Sequence, residues 1–182
     1  MKNRCSWANK EPLISYHDNL WGKAVFDSQE LFLRLSLETM QAGLSWLTIL
    51  NKRQNFLDTF DNFKPEIIIN YDSKKIDSLM QNTGIIRNKL KILSVINNSK
   101  CYLKLSKTIS FSNFLWQHLN HTPIKESYAN YKDIPTFTEL SVNISKNLKK
   151  HGFKFVGPVC IMAFMQSVGM YYHHDKDCSF NN

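Results

Sequence analysis

Residues 36–50 read SLETMQAGLSWLTIL, and Glu38 is the one charged side chain among them. An ionised carboxylate is costly to bury without partners. Asp27 or Ser28 can cap a helix that begins at Gln29, and Gly43 can end it. Leu31, Leu35, Glu38 and Ala42 then recur at helical spacings. The acid faces the apolar side near the C-terminal end, where the helix dipole disfavours negative charge. Position alone leaves two readings. Either the carboxylate lies at the edge of the stripe and reaches water or a neighbouring amide, or it is a functional acid whose surroundings set its chemistry.

A second set of reactive side chains lies at the two ends. Cys5 and His17 stand near the start, and His174 and Cys178, spaced H-x3-C, near the end. Two thiolates and two imidazoles make a closed tetrahedral site that suits Zn2+. Such a site is structural, because no position stays open for water, and it would join two irregular terminal segments that otherwise fray. His173 adjoins His174, so spacing does not decide between them, and unrelated Cys and His residues would show the same spacing. Cys101 and Cys160 fall inside apolar helical patterns and are read as core thiols. The H-x-E and P-C-x-x-C signature of zinc deaminases is absent.

The third candidate is LKKHGFKFVGPVCIMAF at 148–164. Two helical patterns meet at a short turn containing Gly152 and Gly157. Close approach of a phosphate needs free amides and residues without Cβ. A helix starting at Pro158 adds its positive dipole end. Lys149, Lys150, His151 and Lys154 ring the turn. The stretch looks like a helix-hairpin-helix motif, which holds a DNA backbone without reading its sequence. An ordinary helical hairpin with a solvated basic edge gives much the same pattern. Phe155-Val156-Gly157 stands where such motifs usually carry Pro-Gly.

The elements that must position these residues are helical almost throughout. Ser45 can cap a helix over 45–61, Pro65 can start a short one, and Asp72 or Ser73 can cap the next. A long helix runs from about Arg87 to Leu105, and Ser110 opens another. A loop follows over 121–135. Thr136 and Glu139 then have the spacing of a capping box, with Leu140, Ile144 and Leu148 behind them. Gly152 ends that helix, and Pro158 suits the first turn of the last. No alternating strand is evident. The expected fold is all-α, a single domain over 1–182, with the hairpin at about 139–169.

Composition fits this. The 182 residues are 43% hydrophobic and 21% charged, with a net charge of +8. That suits a globular chain with a polyanionic partner and excludes a disordered one. No apolar run is long enough for a membrane span, and no signal peptide is visible. The expectation is a cytoplasmic monomer with no membrane partner.

Taken together, R-C-S-W at 4–7, Y-H-D-N-L-W-G at 16–22, E-T-M-Q-A-G-L-S-W at 38–46, G-I-I-R-N-K at 84–89, K-F-V-G at 154–157 and the terminal H-x3-C resemble the 3-methyladenine DNA glycosylase I family. That family belongs to the helix-hairpin-helix DNA glycosylase superfamily. The resemblance runs from Cys5 to Cys178. It implies a structural zinc on Cys5, His17, His174 and Cys178, and so selects His174 over His173. It also implies that Glu38 lies in the base pocket and recognises the excised base, with Tyr16 and Trp46 as aromatic walls. Trp7 and Trp21 are further candidate walls, whereas Trp116 is read as core.

The implied reaction hydrolyses the N-glycosidic bond of 3-methyladenine flipped out of double-stranded alkylated DNA, leaving an abasic site. N3-methylation gives adenine a delocalised positive charge, which a carboxylate and aromatic faces can recognise. No lysine stands where a lyase would need one, so the enzyme is expected to be monofunctional. Leu44, next to Gly43, is a candidate wedge for the emptied stack. The DNA-contact candidates are Leu44, Lys149, Lys150, Lys154 and Gly157. Family members commonly carry a tyrosine where this chain has Leu13, so the pocket is expected to lack one wall. Two other readings are a glycosylase for another alkylated purine, such as 3-methylguanine, and a zinc-containing DNA-binding module without chemistry.

Overall fold

The computed structural model describes residues 3–126, 128–129 and 131–180. Ser127 and Asn130, in the loop expected over 121–135, lie outside the described residues, as do the first two and last two residues. Ten α-helices account for most of the rest: α1 Leu13–Asn19, α2 Ser28–Gln41, α3 Trp46–Asn51, α4 Arg53–Thr59, α5 Pro65–Ile68, α6 Ser73–Gln81, α7 Lys89–Leu105, α8 Phe111–Trp116, α9 Glu139–Lys150 and α10 Pro158–Ser167.

Most helix starts follow from their caps. The side chains of Asp27, Ser45, Asp72, Asn88 and Ser110 each accept a backbone N–H of the helix that follows. Pro65 and Pro158 occupy first-turn positions where no N–H is needed.

Four expectations need correction. The N-terminal segment is not irregular, because α1 forms within it and buries Tyr16 and His17. The helix expected over 45–61 breaks at Lys52 (φ −106°, ψ 2°) and ends in a 3-10 turn at Asp61–Phe63. The capping box belongs to Thr138 and Ser141, whose side chains each bond the other's backbone, and not to Thr136 and Glu139. A two-residue parallel strand pair also exists, β1 Ile124–Lys125 with β2 Tyr171–Tyr172.

α2 is the spine of the molecule. Leu31, Phe32 and Leu35 join a core built with α8, α9 and α10. Leu33, Leu37 and Met40 join a second core with α4, α6 and α7. From Leu35 to Met40 every residue of α2 is buried. Glu38 therefore has no solvent edge to reach, and it is 5% exposed. No helix among the described residues is long and apolar enough to cross a membrane.

Candidate active site, metal centre and hairpin

Three segments place the acid. α2 carries Glu38 and, one turn earlier, Arg34. α1 carries Tyr16, and α3 carries Trp46. The rings of Tyr16 and Trp46 lie 5.3 Å apart at 52°. Both line a narrow cavity with Arg34, Leu37, Arg53 and Ser167. Ser167 and Arg34 are the neighbours that favour the ionised Glu38, yet burial prevails and pushes its carboxyl up to about 8. The Ser167 hydroxyl donates its one proton to the Phe164 carbonyl at 2.8 Å. Glu38 Oε2 is buried without a hydrogen-bond partner, and so is the indole N–H of Trp46. Folding has left an unmatched acceptor and an unmatched donor in one neighbourhood, a costly arrangement unless a ligand completes it.

Arg34 shapes the cavity wall. Its guanidinium donates to Glu30 Oε1 at 2.7 Å, to the Leu20 carbonyl at 3.0 Å and to the Ser167 carbonyl at 2.7 Å. It thereby ties the ends of α1 and α10 to α2. Lys91, 5% exposed, solves the dipole problem noted above. Its ammonium donates to the carbonyls of Met40 (2.8 Å) and Ala42 (2.6 Å), placing positive charge at the C-terminal end of α2. Gly43 then turns with φ +78°, which a side chain would strain, and Leu44 stands 40% exposed.

The four metal candidates meet. Cys5, His17, His174 and Cys178 are all buried, with ligand atoms within 4.8 Å of one another. Cys178 Sγ lies 3.5 Å from His17 Nε2 and 3.4 Å from His174 Nδ1, and Cys5 Sγ lies 3.5 Å from His174 Nδ1. His173 faces elsewhere, towards Gln166 and Glu126. His17 Nδ1 bonds Asp18 Oδ1 at 2.9 Å, leaving Nε2 towards the thiols. Asp18 is in turn held by Arg4, which keeps its carboxyl down at about 2. Burial lowers His174 to about 4, so its ring is neutral, the form that ligates. A side chain at Gly22 would come within 2.9 Å of His174 Nε2. Asp175 accepts from the backbone and hydroxyl of Ser6, a structural role.

Trp7 and Trp21 do not line the cavity. They pack edge to face at 5.1 Å, with Trp7 against Tyr16 and His17 and Trp21 against His17 and His174. They fill the space between the metal candidates and the aromatic wall. Trp116 is fully buried, as expected of a core residue.

The hairpin turn between α9 and α10 is exposed at Lys149, Lys150, Lys154 and Phe155. α7 holds it from behind. Asn98, 2% exposed, donates to the Lys154 carbonyl at 3.0 Å and accepts from the Lys154 N–H at 2.8 Å. Asn97 donates to the Gly152 carbonyl at 2.8 Å. Phe155 is fixed at φ +56°. A Cβ on Gly157, the N-cap of α10, would meet nothing within 4 Å. Open space lies in front of that helix end.

The sequence pattern of the methyladenine glycosylase family matches residues 7–182. The chain belongs to that family. It is 43% identical over 180 residues to the DNA-3-methyladenine glycosylase of Haemophilus influenzae, covering 98% of this chain and 97% of that one. A crystal structure of 3-methyladenine DNA glycosylase I superposes with a TM-score of 0.96 at 40% identity, over 99% of this chain and 100% of that one. The Staphylococcus aureus 3-methyladenine DNA glycosylase I, solved to show how it recognises 3-methyladenine, gives 0.94 at 38% identity, over 100% and 97% of the two chains.

Family membership does not by itself point to Arg34, Ser167, Lys91 or Asn98, and sequence reasoning missed all four. Arg34, Lys91 and Asn98 bond backbone groups of other segments, and the Ser167 hydroxyl bonds the Phe164 carbonyl within α10. The nearest local signal was the QAG stretch, whose abrupt helix end demanded a cation from somewhere.

Proposed function

We propose that this chain excises 3-methyladenine from alkylated double-stranded DNA as a monofunctional hydrolase. The observation that carries the reading is the buried Glu38 with an unpartnered Oε2, which sits behind a cavity lined by its neighbours Tyr16, Arg34 and Ser167 and by Trp46, in a methyladenine glycosylase. A flipped N3-methylated adenine brings a delocalised positive charge. Glu38 supplies the matching acceptor, and the aromatic faces add cation–π attraction of about 0.5–2 kcal/mol each. Unmodified adenine offers no charge to offset ionisation of so buried an acid. The C1′–N9 bond breaks with its electron pair passing into the purine, which becomes neutral. Water adds to C1′ and releases a proton to solvent.

The turn of the α9–α10 hairpin would hold the DNA backbone as a helix-hairpin-helix, through Lys149, Lys150, Lys154 and the amides after Gly157. Leu44 would fill the emptied stack. Cys5, His17, His174 and Cys178 fit a structural Zn2+. Tetrahedral zinc with its usual bond lengths sets S···N separations of about 3.5 Å, and the three close pairs lie at 3.4–3.5 Å. Burial, with the neighbouring Cys178 and Asp175 carboxylate, pushes the Cys5 thiol up to about 12, so a bound cation would be what makes its thiolate stable at neutral pH. The metal has four protein ligands and no place in the reaction. One domain, acting as a cytoplasmic monomer, completes the proposal.

Base release from methylated DNA, resolved by chromatography, tests the reading. Wild type should release 3-methyladenine, and Glu38→Gln should release it at least tenfold more slowly. Release of no base by a folded, DNA-binding wild type would overturn it.

A further inference from the structure

Ser167 closes α10 with a polar side chain that is 2% exposed, and it serves neither the metal centre nor the hairpin. Its backbone is pinned on several sides. Arg34 donates to its carbonyl at 2.7 Å and, through the same nitrogen, to the Leu20 carbonyl at 3.0 Å. The next carbonyl, that of Val168, accepts the Val25 N–H at 3.1 Å. Gly169 then turns with φ +69°, and a side chain there would collide with the backbone of Lys23 and Ala24. The hydroxyl is the part left free to turn.

That hydroxyl has one hydrogen and two lone pairs. It donates to the Phe164 carbonyl at 2.8 Å. Phe164 does not depend on it, because the same carbonyl accepts the Val168 N–H at 3.0 Å. Ser167 also neighbours the Tyr16 phenol and the Glu38 carboxyl, and a hydrogen bond from it favours the ionised form of each. Glu38 Oε2 is meanwhile buried without a partner. With its hydrogen on Phe164, the Ser167 oxygen can accept from a neutral carboxyl. With that hydrogen turned round, it can donate to a carboxylate.

We propose that the Ser167 hydroxyl is the reversible partner of Glu38: it accepts from the neutral carboxyl in the empty pocket and turns to donate to the carboxylate when a cationic base enters. The inference rests on the glycosylase reading and makes Ser167 a positioning residue that acts through Glu38. The ionisable groups around the carboxyl and along the cavity are Tyr16 of α1, Arg34 of α2, Arg53 of α4, Lys91 of α7 and Cys160 of α10. Burial holds the Tyr16 phenol and the Cys160 thiol protonated at neutral pH, so neither takes the proton that Glu38 gives up. That proton leaves to solvent as the base arrives. The pocket thus trades a proton for the charge of the base, and the carboxyl is matched in both states.

The test follows Glu38 by carbon-13 NMR of labelled glutamate carboxyls, with Glu38→Gln identifying its signal. Ser167→Ala leaves the Phe164 carbonyl its backbone bond, so the variant should fold. It should raise the pH midpoint of Glu38 by about 0.7 of a unit, the difference between a charge-assisted and a neutral hydrogen bond. Ser167→Cys, which keeps the shape with a weaker donor, should move the midpoint the same way. At neutral pH the 3,9-dimethyladenine cation, which stands for the flipped base before cleavage, should bind Ser167→Ala roughly fivefold more weakly than wild type. In the Glu38→Gln background, where no charge changes, the same substitution should cost nothing. An unmoved midpoint, or an equal loss of affinity in both backgrounds, would overturn the pairing. Folded wild type that releases no 3-methyladenine would instead remove the glycosylase reading, and the titration, which needs no substrate, would still decide the pairing.

Discussion

With its carboxyl pushed up to about 8, Glu38 is mostly protonated at neutral pH until a cation enters the pocket. The folded protein keeps this proton where an unfolded chain, with the ordinary value of 4.5, has released it. Stability tied to Glu38 is therefore present at acid pH and lost as pH rises from about 4.5 to about 8. Glu38→Gln removes that dependence. In thermal melts from pH 5 to 9, the variant's Tm should gain on wild type as pH rises and level off above pH 8. A constant difference across the range would mean that the carboxyl is ionised throughout. A cationic base binds the ionised form, so its affinity should climb with pH over the same interval.

At the scale of elements, the hairpin depends on a residue outside it. Phe155 holds a left-handed conformation that costs a non-glycine residue about 1 kcal/mol, and the two bonds from Asn98 to Lys154 keep it there. Asn98→Ala removes both part-buried bonds to the Lys154 backbone and should cost roughly 2 kcal/mol of stability, about 1 for each. It should also weaken duplex binding several-fold while leaving free 3-methyladenine binding intact. Adding Phe155→Gly, which accepts that conformation freely, should restore part of the DNA affinity. Failure of the second substitution to restore any would separate Asn98 from the turn's shape.

The same elements show what could be read in the residues. Asp27, Asp72, Ser110 and Pro158 announced their helices because a cap acts locally. Thr136 and Thr138 both had a partner three residues on, and the choice was not local: Tyr171 reaches the Thr138 hydroxyl at 3.2 Å. The seven residues of α1 were missed because so short a helix draws its stability from packing. Glu38 and the metal candidates were legible by resemblance. Arg34, Lys91 and Asn98 were not, because their partners come from distant segments and lysine and arginine are rarely buried.

For the whole molecule, the Cys–His cluster joins both ends of the chain to the pocket wall. His17 and Tyr16 are neighbours on α1, one facing the metal candidates and the other the cavity. Cys178→Ser should lower zinc content and reduce Tm together, by roughly 10 °C if the lost ligand costs a few kcal/mol. Activity should fall as well, although none of the four candidate ligands lines the cavity. Metal analysis beside calorimetry checks this, and unchanged Tm in a zinc-free variant would refute the staple.

That staple also bears on how the protein is made. A ribosome delivers Cys5 and His17 first, and His174 and Cys178 only when synthesis is nearly past α10 and β2. Until then the nascent chain has two of the four candidate ligands, and α1 has only α2 and α3 to dock on. The base pocket therefore matures last, and a chain cut short before Cys178 would carry Glu38 and the hairpin but no finished aromatic wall. Metal capture would act as a checkpoint on the chain's reaching Cys178, so that truncated translation products do not become half-working enzymes loose on the genome.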